Sequence, residues 1–356
     1  MEAPDLPYRP PDPRRYRPAI GLIACGGITE QHLRAYSKAG YRVVALCDLT
    51  KKRAERRRTE FYPEAQIYTD YRKLLKRDDI EVVDIATHPP ERVEILESAI
   101  QAGKHILSQK PFVLDLEVGQ RLVDLADQKG VKLAVNQNGR WAPHWSYIRQ
   151  AVGAGILGEV LSAEFSVNWN HNWVAGSTFD RIHHLILYDF AIHWFDIATV
   201  LFGGRAPRRV SASLACCPNQ KAKPPLLAQA SVEYEKGQAS FAFNGNCLYG
   251  QRDSTRVIGS HGTLESQGPS LSDQKLVLST EGGICSPRLR GTWFPDGFHG
   301  TMGELLCAIE EDREPTHSAR KNLKSLALCF AAAASADEGK PKVPGRVKKI
   351  ESVAVI

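Results

Sequence analysis

The chain offers no run of the roughly 18 uninterrupted apolar residues that a bilayer span requires, so no segment reads as a membrane helix. Its eight cysteines never fall into a metal-ligand spacing, and only Cys216 and Cys217 are adjacent. That scatter excludes a zinc module and reads as reduced, mostly buried thiols in a cytoplasmic protein. The first eighteen residues, MEAPDLPYRPPDPRRYRP, hold six prolines and no apolar run. They exclude the usual signal peptide and predict an extended arm, with a neighbouring subunit as the candidate surface for it. Concentrated charge of one sign is also missing. The formal net charge is +6 against 46 basic and 40 acidic residues, which leaves no basic face for nucleic acid or a membrane. No repeat of fixed period is visible, and the arm is the only low-complexity stretch.

What is present is length for two domains and, at 43% apolar residues, material for ample cores. From Ala19 to Asn136, short β-branched runs (19–24, 42–47, 82–86, 105–108 and 131–136) alternate with helical patterns such as 90–104 and 116–130. The runs are continuously apolar, as strands covered on both faces must be. Strand and helix in alternation predict a Rossmann-type α/β domain with a doubly wound parallel sheet. Beyond about residue 140 the runs 160–169, 209–216, 227–247, 254–266 and 274–280 alternate apolar and polar residues, with a hairpin expected at Glu235 to Gln238 around a positive-φ Gly237. The pattern predicts a C-terminal α+β domain with a largely antiparallel open sheet, one face covered by helices at about 187–202, 300–312 and 318–338. The resulting division is an arm over 1–18, a dinucleotide-binding domain over 19–140, and a substrate-binding and oligomerisation domain over 141–356. An open sheet needs a partner, so a homodimer or homotetramer is expected.

The first strand runs into ACGGITEQHL, residues 24–33. A dinucleotide needs glycine here so that backbone approaches the pyrophosphate at a helix N-terminus. The G-x-G-x-x-G frame falls on Ala24, Gly26 and Thr29, so only its middle position is glycine; Cys25, Gly26, Gly27 and Ile28 are the cradle candidates. Strand two ends in Asp48, placed to hydrogen-bond a ribose 2'-hydroxyl and to repel a 2'-phosphate. NAD is therefore expected, with NADP the alternative because Lys51, Lys52 and Arg53 follow. The run KKRAERRR, residues 51–58, otherwise reads as a solvated helix face. Thr87, His88 and Pro89, together with Gln109, Lys110 and Pro111, leave the C-terminal ends of two further strands, where ligands of open α/β sheets bind.

These segments, ACGGI, Asp48, IATHPP, GKHILSQKPF, NGRW and RVIGSHGTLES, resemble the glucose-fructose oxidoreductase, inositol dehydrogenase and MocA family from about residue 19 to about residue 340. The resemblance implies that Lys110 of a Glu-Lys-Pro motif contacts both the nicotinamide ribose and the substrate hydroxyl, after a Lys-Pro bond that can be cis. Gln109 stands where the motif has Glu. Gln109 and Asn138 join the expected cofactor contacts.

Alcohol oxidation also needs a base for the hydroxyl proton. YDFAIHWFD, residues 188–196, places Asp189 and His193 four apart, on one face of a helix. By resemblance His193 is the base and Asp189 its orienting partner; Asp196 is left outside the chemistry as an N–H or arginine partner. NQNGRWAPHW, NWNHNW and FDRIHH mix aromatic rings with hydrogen-bonding side chains, as a sugar site requires. Arg140, Trp141, Asn170 and His184 are the substrate candidates, with Lys110, Asp189 and His193. No metal is expected, since adjacent histidines such as His183 and His184 project apart. The implied activity is NAD(P)-dependent oxidation of a secondary hydroxyl of a sugar, polyol or glycoside, or its reverse. Two alternatives remain: a glycosidase that oxidises transiently and eliminates, and a nucleotide-sensing regulator.

Overall fold

Six short runs assemble into one parallel sheet in a computed structural model that describes residues 1–350. They are β1 (Ala19–Ile23), β2 (Arg42–Cys47), β3 (Gln66–Tyr68), β4 (Ile80–Ile85), β5 (His105–Ser108) and β6 (Leu133–Val135), in the order β3-β2-β1-β4-β5-β6. Helices α1 (Thr29–Ala39), α2 (Lys51–Phe61), α3 (Tyr71–Leu75), α4 (Pro89–Gln101) and α5 (Leu116–Gln128) connect them. The strand order reverses direction beside β1, which creates the switch point at which doubly wound sheets bind ligands. β3 escaped the sequence reading because QIY is too short to show a period.

This nucleotide unit comprises Arg9–Trp141 and Phe294–Leu323. Its core joins Ile20, Leu22, Leu33, Tyr36, Val43 and Leu46 to Phe298, Met302, Leu305 and Leu306. The late helix that carries those four residues was expected on the antiparallel sheet; it covers the parallel one instead. The chain first leaves this unit between Trp141 and Ala142, one residue from the boundary expected at 140/141, and returns to it after the second sheet is complete. Backbone N–H groups of Arg14, Arg15 and Tyr16 donate to the Glu310 carboxylate at 2.7, 2.6 and 2.8 Å, so this part of the arm packs on its own chain.

The second unit comprises Met1–Tyr8, Ala142–Trp293 and the described chain from Lys324. Its eight strands are β7 (Val160–Asn168), β8 (Pro207–Ala215), β9 (Leu227–Tyr234), β10 (Gln238–Asn244), β11 (Arg252–Gly259), β12 (Gly262–Ser270), β13 (Asp273–Thr280) and β14 (Gly283–Cys285). They order as β14-β13-β12-β11-β7-β10-β9-β8, antiparallel except where β10 runs parallel to β7. The β9–β10 hairpin closes with Gly237 at φ +108°. The run read as one strand over 254–266 turns back between β11 and β12. The remaining helices are α6 (Pro143–Gly153), α7 (Ile192–Leu201), α8 (Trp293–Glu310) and α9 (Ala319–Glu338). Phe195 of α7 meets Phe241 of β10 with ring centroids 4.8 Å apart, and Trp145 of α6 donates from Nε1 to Thr255 Oγ1 of β11 at 2.9 Å. Within this unit Tyr147 donates to the Pro4 carbonyl at 2.8 Å, which fastens the start of the arm.

Candidate active site

One row of paired residues crosses the parallel sheet at its carboxyl edge: Cys47, Ile23, Ile85, Ser108 and Val135. The residue after each row member continues the ladder, since Ala24, Ala86, Gln109 and Asn136 donate backbone N–H to Cys47, Ile23, Ile85 and Ser108. Strands are about 4.8 Å apart, so Gln109 and Lys110 leave the sheet about 10 Å from the glycine turn. Asp48, the turn, the start of α4 and Lys110 thus share one edge of one rigid sheet.

The turn shows why its frame is incomplete. Ala24 occupies the first position at φ +75°, a left-handed conformation that glycine adopts freely. Its N–H bonds Cys47 all the same, so the turn keeps its shape. Nothing lies within 4 Å of where a Cβ on Gly26 or Gly27 would stand, which leaves open space above the backbone at the start of α1. Asp48 is buried and accepts from Cys25 N–H through Oδ2 and from Thr50 N–H through Oδ1, both at 2.8 Å. Each carboxylate oxygen retains a lone pair for a further donor. Lys51, Lys52 and Arg53 are exposed, as a solvated helix face predicts. Arg57 of the same helix is buried instead: its guanidinium donates to the Gly26 and Gly27 carbonyls at 3.2 and 3.3 Å and to Glu60 at 2.7 Å. The turn is therefore pinned from below by a residue that the run of like charges concealed.

At β5 the Lys110–Pro111 bond is cis. Gln109 accepts the Lys110 N–H through Oε1 at 2.8 Å. Arg92 of α4, fully buried, donates to the carbonyls of Thr87, Gln109 and Pro111, and to that of Phe112 at 3.3 Å. A planar guanidinium suits this task because its donors diverge in fixed directions. It ties the Thr87–Pro89 turn to the Lys110 segment. His88 precedes α4, with Pro89 and Pro90 in its first turn. Asn138, Arg140 and Trp141 lie in a single 3-10 turn and are all buried. Arg140 donates to the Thr316 carbonyl at 2.6 Å, and Trp141 packs on His317 at a centroid separation of 5.1 Å.

In the second unit Asp189 and His193 are both buried. The expectation of one regular α-helix beneath them is corrected: Leu185–Phe190 is π-helical and α7 begins at Ile192. A wider turn of this kind is common at functional sites because it redirects a side chain without breaking the helix. The His193 ring stands 5.4 Å from that of Trp293, edge to face. His171 belongs to the same neighbourhood, although it was not among the candidate contacts. Its ring lies 4.0 Å from Phe190, and burial pushes its imidazole down to about 4, opposed by its neighbours including Asp189. Asn170 is exposed and accepts from Asn172 N–H at 3.1 Å. His184 is buried, with Nε2 2.9 Å from Asp337 Oδ1. His183 and His184 were expected to diverge, yet both turn Nε2 toward Asp337 Oδ1, His183 at 4.0 Å. Asp196 accepts from Ser325 Oγ at 2.9 Å.

The nucleotide unit passes a simple test for a dinucleotide: an open cradle over two glycines at the start of α1, and a buried acid closing the neighbouring strand. Arg57, Arg92 and His171 were missed because each is recognisable only once its partners are in place.

Residues 19–137 match the model of a family described as oxidoreductase family, NAD-binding Rossmann fold, and residues 145–265 match that of the GFO/IDH/MocA C-terminal domain. A D-apiose dehydrogenase of Paraburkholderia graminis is 28% identical over 344 residues, covering 90% of this chain and 88% of that protein. An inositol 2-dehydrogenase of Rhizobium meliloti is 27% identical over 335 residues, covering 90% and 97%. The crystal structure of an Agrobacterium radiobacter oxidoreductase, in complex with NAD+, L-tartaric acid and magnesium, superposes with a TM-score of 0.83 at 21% identity, covering 93% of this chain and 99% of that one.

Proposed function

Because the chain belongs to the GFO/IDH/MocA family of oxidoreductases, with their NAD-binding Rossmann domain, we propose that it oxidises a secondary hydroxyl of a sugar, polyol or glycoside, or runs the reverse reduction. The observation that carries this reading is the shared sheet edge on which the glycine turn, Asp48 and Lys110 stand. NAD, when bound, supplies the hydride acceptor. Cys25, Gly26, Gly27 and Ile28 would hold its pyrophosphate, Asp48 its adenosine ribose, and Thr87, His88, Pro89, Gln109, Lys110 and Asn138 the rest. The Asp48 carboxylate favours NAD over NADP by charge.

Lys110 donates a hydrogen bond to the reacting oxygen and stabilises the charge that develops there. The His193 imidazole accepts the hydroxyl proton, and Asp189 orients the ring and supports the imidazolium. Of the substrate contacts, Asn170 is exposed, whereas Arg140, Trp141 and His184 are buried and already bonded. Assembly as a homodimer or homotetramer belongs to the same reading and is checked by sizing in solution.

A panel of pentoses, inositols and glycosides, assayed with NAD and NADP separately, tests the activity. NADH should accumulate with at least one polyol or sugar, faster than NADPH. Glycoside cleavage with retained NAD and no NADH would instead assign an eliminating glycosidase. Cofactor binding with no turnover on any member of the panel would assign a nucleotide sensor.

A further inference from the structure

We propose that His32 and Asp84 form a buried positioning pair for Lys110, acting through Gln109, with His32 held neutral and protonated on Nδ1. The hydrogen-bond directions follow from one unambiguous donor. The Lys110 backbone N–H donates to Gln109 Oε1 at 2.8 Å, so the amide of Gln109 cannot be turned the other way. Its Nε2 therefore faces His32 Nε2, 3.4 Å away, and a donor there requires a bare nitrogen opposite. Asn136 Nδ2 approaches the same nitrogen at 3.2 Å, and Asn136 Oδ1 accepts from Thr301 at 2.9 Å. The single ring proton of His32 must then sit on Nδ1, which lies 2.6 Å from Asp84 Oδ2.

Every element packed on the ring takes part. Tyr36 of α1 donates to the same Asp84 oxygen at 2.6 Å, and its hydroxyl is held well above its usual range by burial and then by Asp84. Asp84 comes from β4, Gln109 follows β5, Asn136 follows β6, and Phe298 of α8 caps the ring at a centroid separation of 4.7 Å. Asp84 and Tyr36 are the titratable groups facing His32. His32, Asp84, Tyr36 and Asn136 are fully buried, so no water competes for these bonds. The chain of contacts fixes Gln109, and Gln109 braces the backbone of Lys110.

The departure from Glu at position 109 now has a physical consequence. A carboxylate there would still accept the Lys110 N–H, but its other oxygen would confront the bare Nε2. Two facing acceptors repel unless a proton enters between them. Gln109 with neutral His32 and ionised Asp84 carries a charge of −1; a Glu with an imidazolium and Asp84 carries the same. Gln109→Glu should therefore load a second proton onto His32 rather than disrupt the pair.

The proposal rests on the dehydrogenase reading for its catalytic consequence, and its test separates the two. Long-range 1H–15N NMR of histidine-labelled full-length protein, without cofactor, reads the tautomer directly. The wild type should show His32 as the Nδ1–H form, and Gln109→Glu, under the same conditions, the doubly protonated ring. An Nε2–H tautomer or an imidazolium in the wild type overturns the proposal, as does an unchanged neutral ring in Gln109→Glu. In the kinetic arm Gln109→Leu, which cannot brace the amide, should lower kcat by about ten- to a hundredfold with a smaller effect on KM. Gln109→Glu should recover most of that loss. Equal kcat in wild type and Gln109→Leu overturns the positioning role. Failure to find any oxidisable substrate would strike the proposed function while the NMR result decides the pair.

Discussion

Ala24 illustrates what one side chain costs at this site. A left-handed conformation disfavours an L-residue by about 1–2 kcal/mol, and Ala24 holds φ +75°. Ala24→Gly relieves that strain and loses part of the gain to the greater freedom of the unfolded chain. A net stabilisation of up to about 1 kcal/mol is expected, seen as a raised urea midpoint. Asp253 is a second residue whose setting has a measurable consequence. Burial pushes its carboxyl up to about 7; Oδ1 accepts from Gln274 at 3.2 Å, and Oδ2 has no partner among the described residues. Its folded pKa thus exceeds the unfolded value near 3.9. Its contribution is full below about pH 4 and is lost as the pH rises through about 7, on the order of 4 kcal/mol. Asp253→Asn removes that slope, so the Tm of the variant should gain on the wild type between those limits and keep a constant lead above them. At this scale the sequence was partly readable. Asp48 and Lys110 announced themselves by following strands. Arg92 was hidden in an ordinary helix, and Arg57 among five other basic residues of KKRAERRR, because burial beside carbonyls leaves no local signature.

Elements were more legible than residues, and their failures have physical causes. The apolar runs and their flanking glycines located five of the six parallel strands, but three residues of β3 carry no period. The late helix α8 has the amphipathic pattern of any core helix, and pattern alone does not say which sheet it covers; Phe298, Met302, Leu305 and Leu306 place it on the parallel one. Asp189 and His193 sit four apart as an α-helical turn requires, yet the chain takes a π-helical path through Leu185–Phe190, which spacing does not encode. The β9–β10 hairpin was legible through Gly237. An added Cβ there would stand 2.6 Å from the Leu161 carbonyl oxygen, in a backbone at φ +108°. Gly237→Ala should destabilise the protein by about 2 kcal/mol or more, measured as a lowered urea midpoint with unchanged slope.

For the molecule as a whole, the alternation of strand and helix followed by alternation of apolar and polar residues revealed the two kinds of sheet. It did not reveal the path of the chain, which leaves the nucleotide unit at Trp141 and re-enters it at Phe294. A single sequence carries little information on such returns, since they depend on which distant surfaces remain uncovered. Within the nucleotide unit every proposed cofactor contact follows a strand end or lies in the segment beyond one, and the family match confirms NAD as its ligand class. The most direct measurement is NADH formation by wild type, Lys110→Ala and His193→Ala on the best substrate of the panel, alongside NAD affinity by calorimetry. Each substitution should lower turnover by about a hundredfold or more, with His193→Ala binding NAD as the wild type does. Wild-type turnover in both variants would contradict the assignment of the lysine and the histidine to the chemistry.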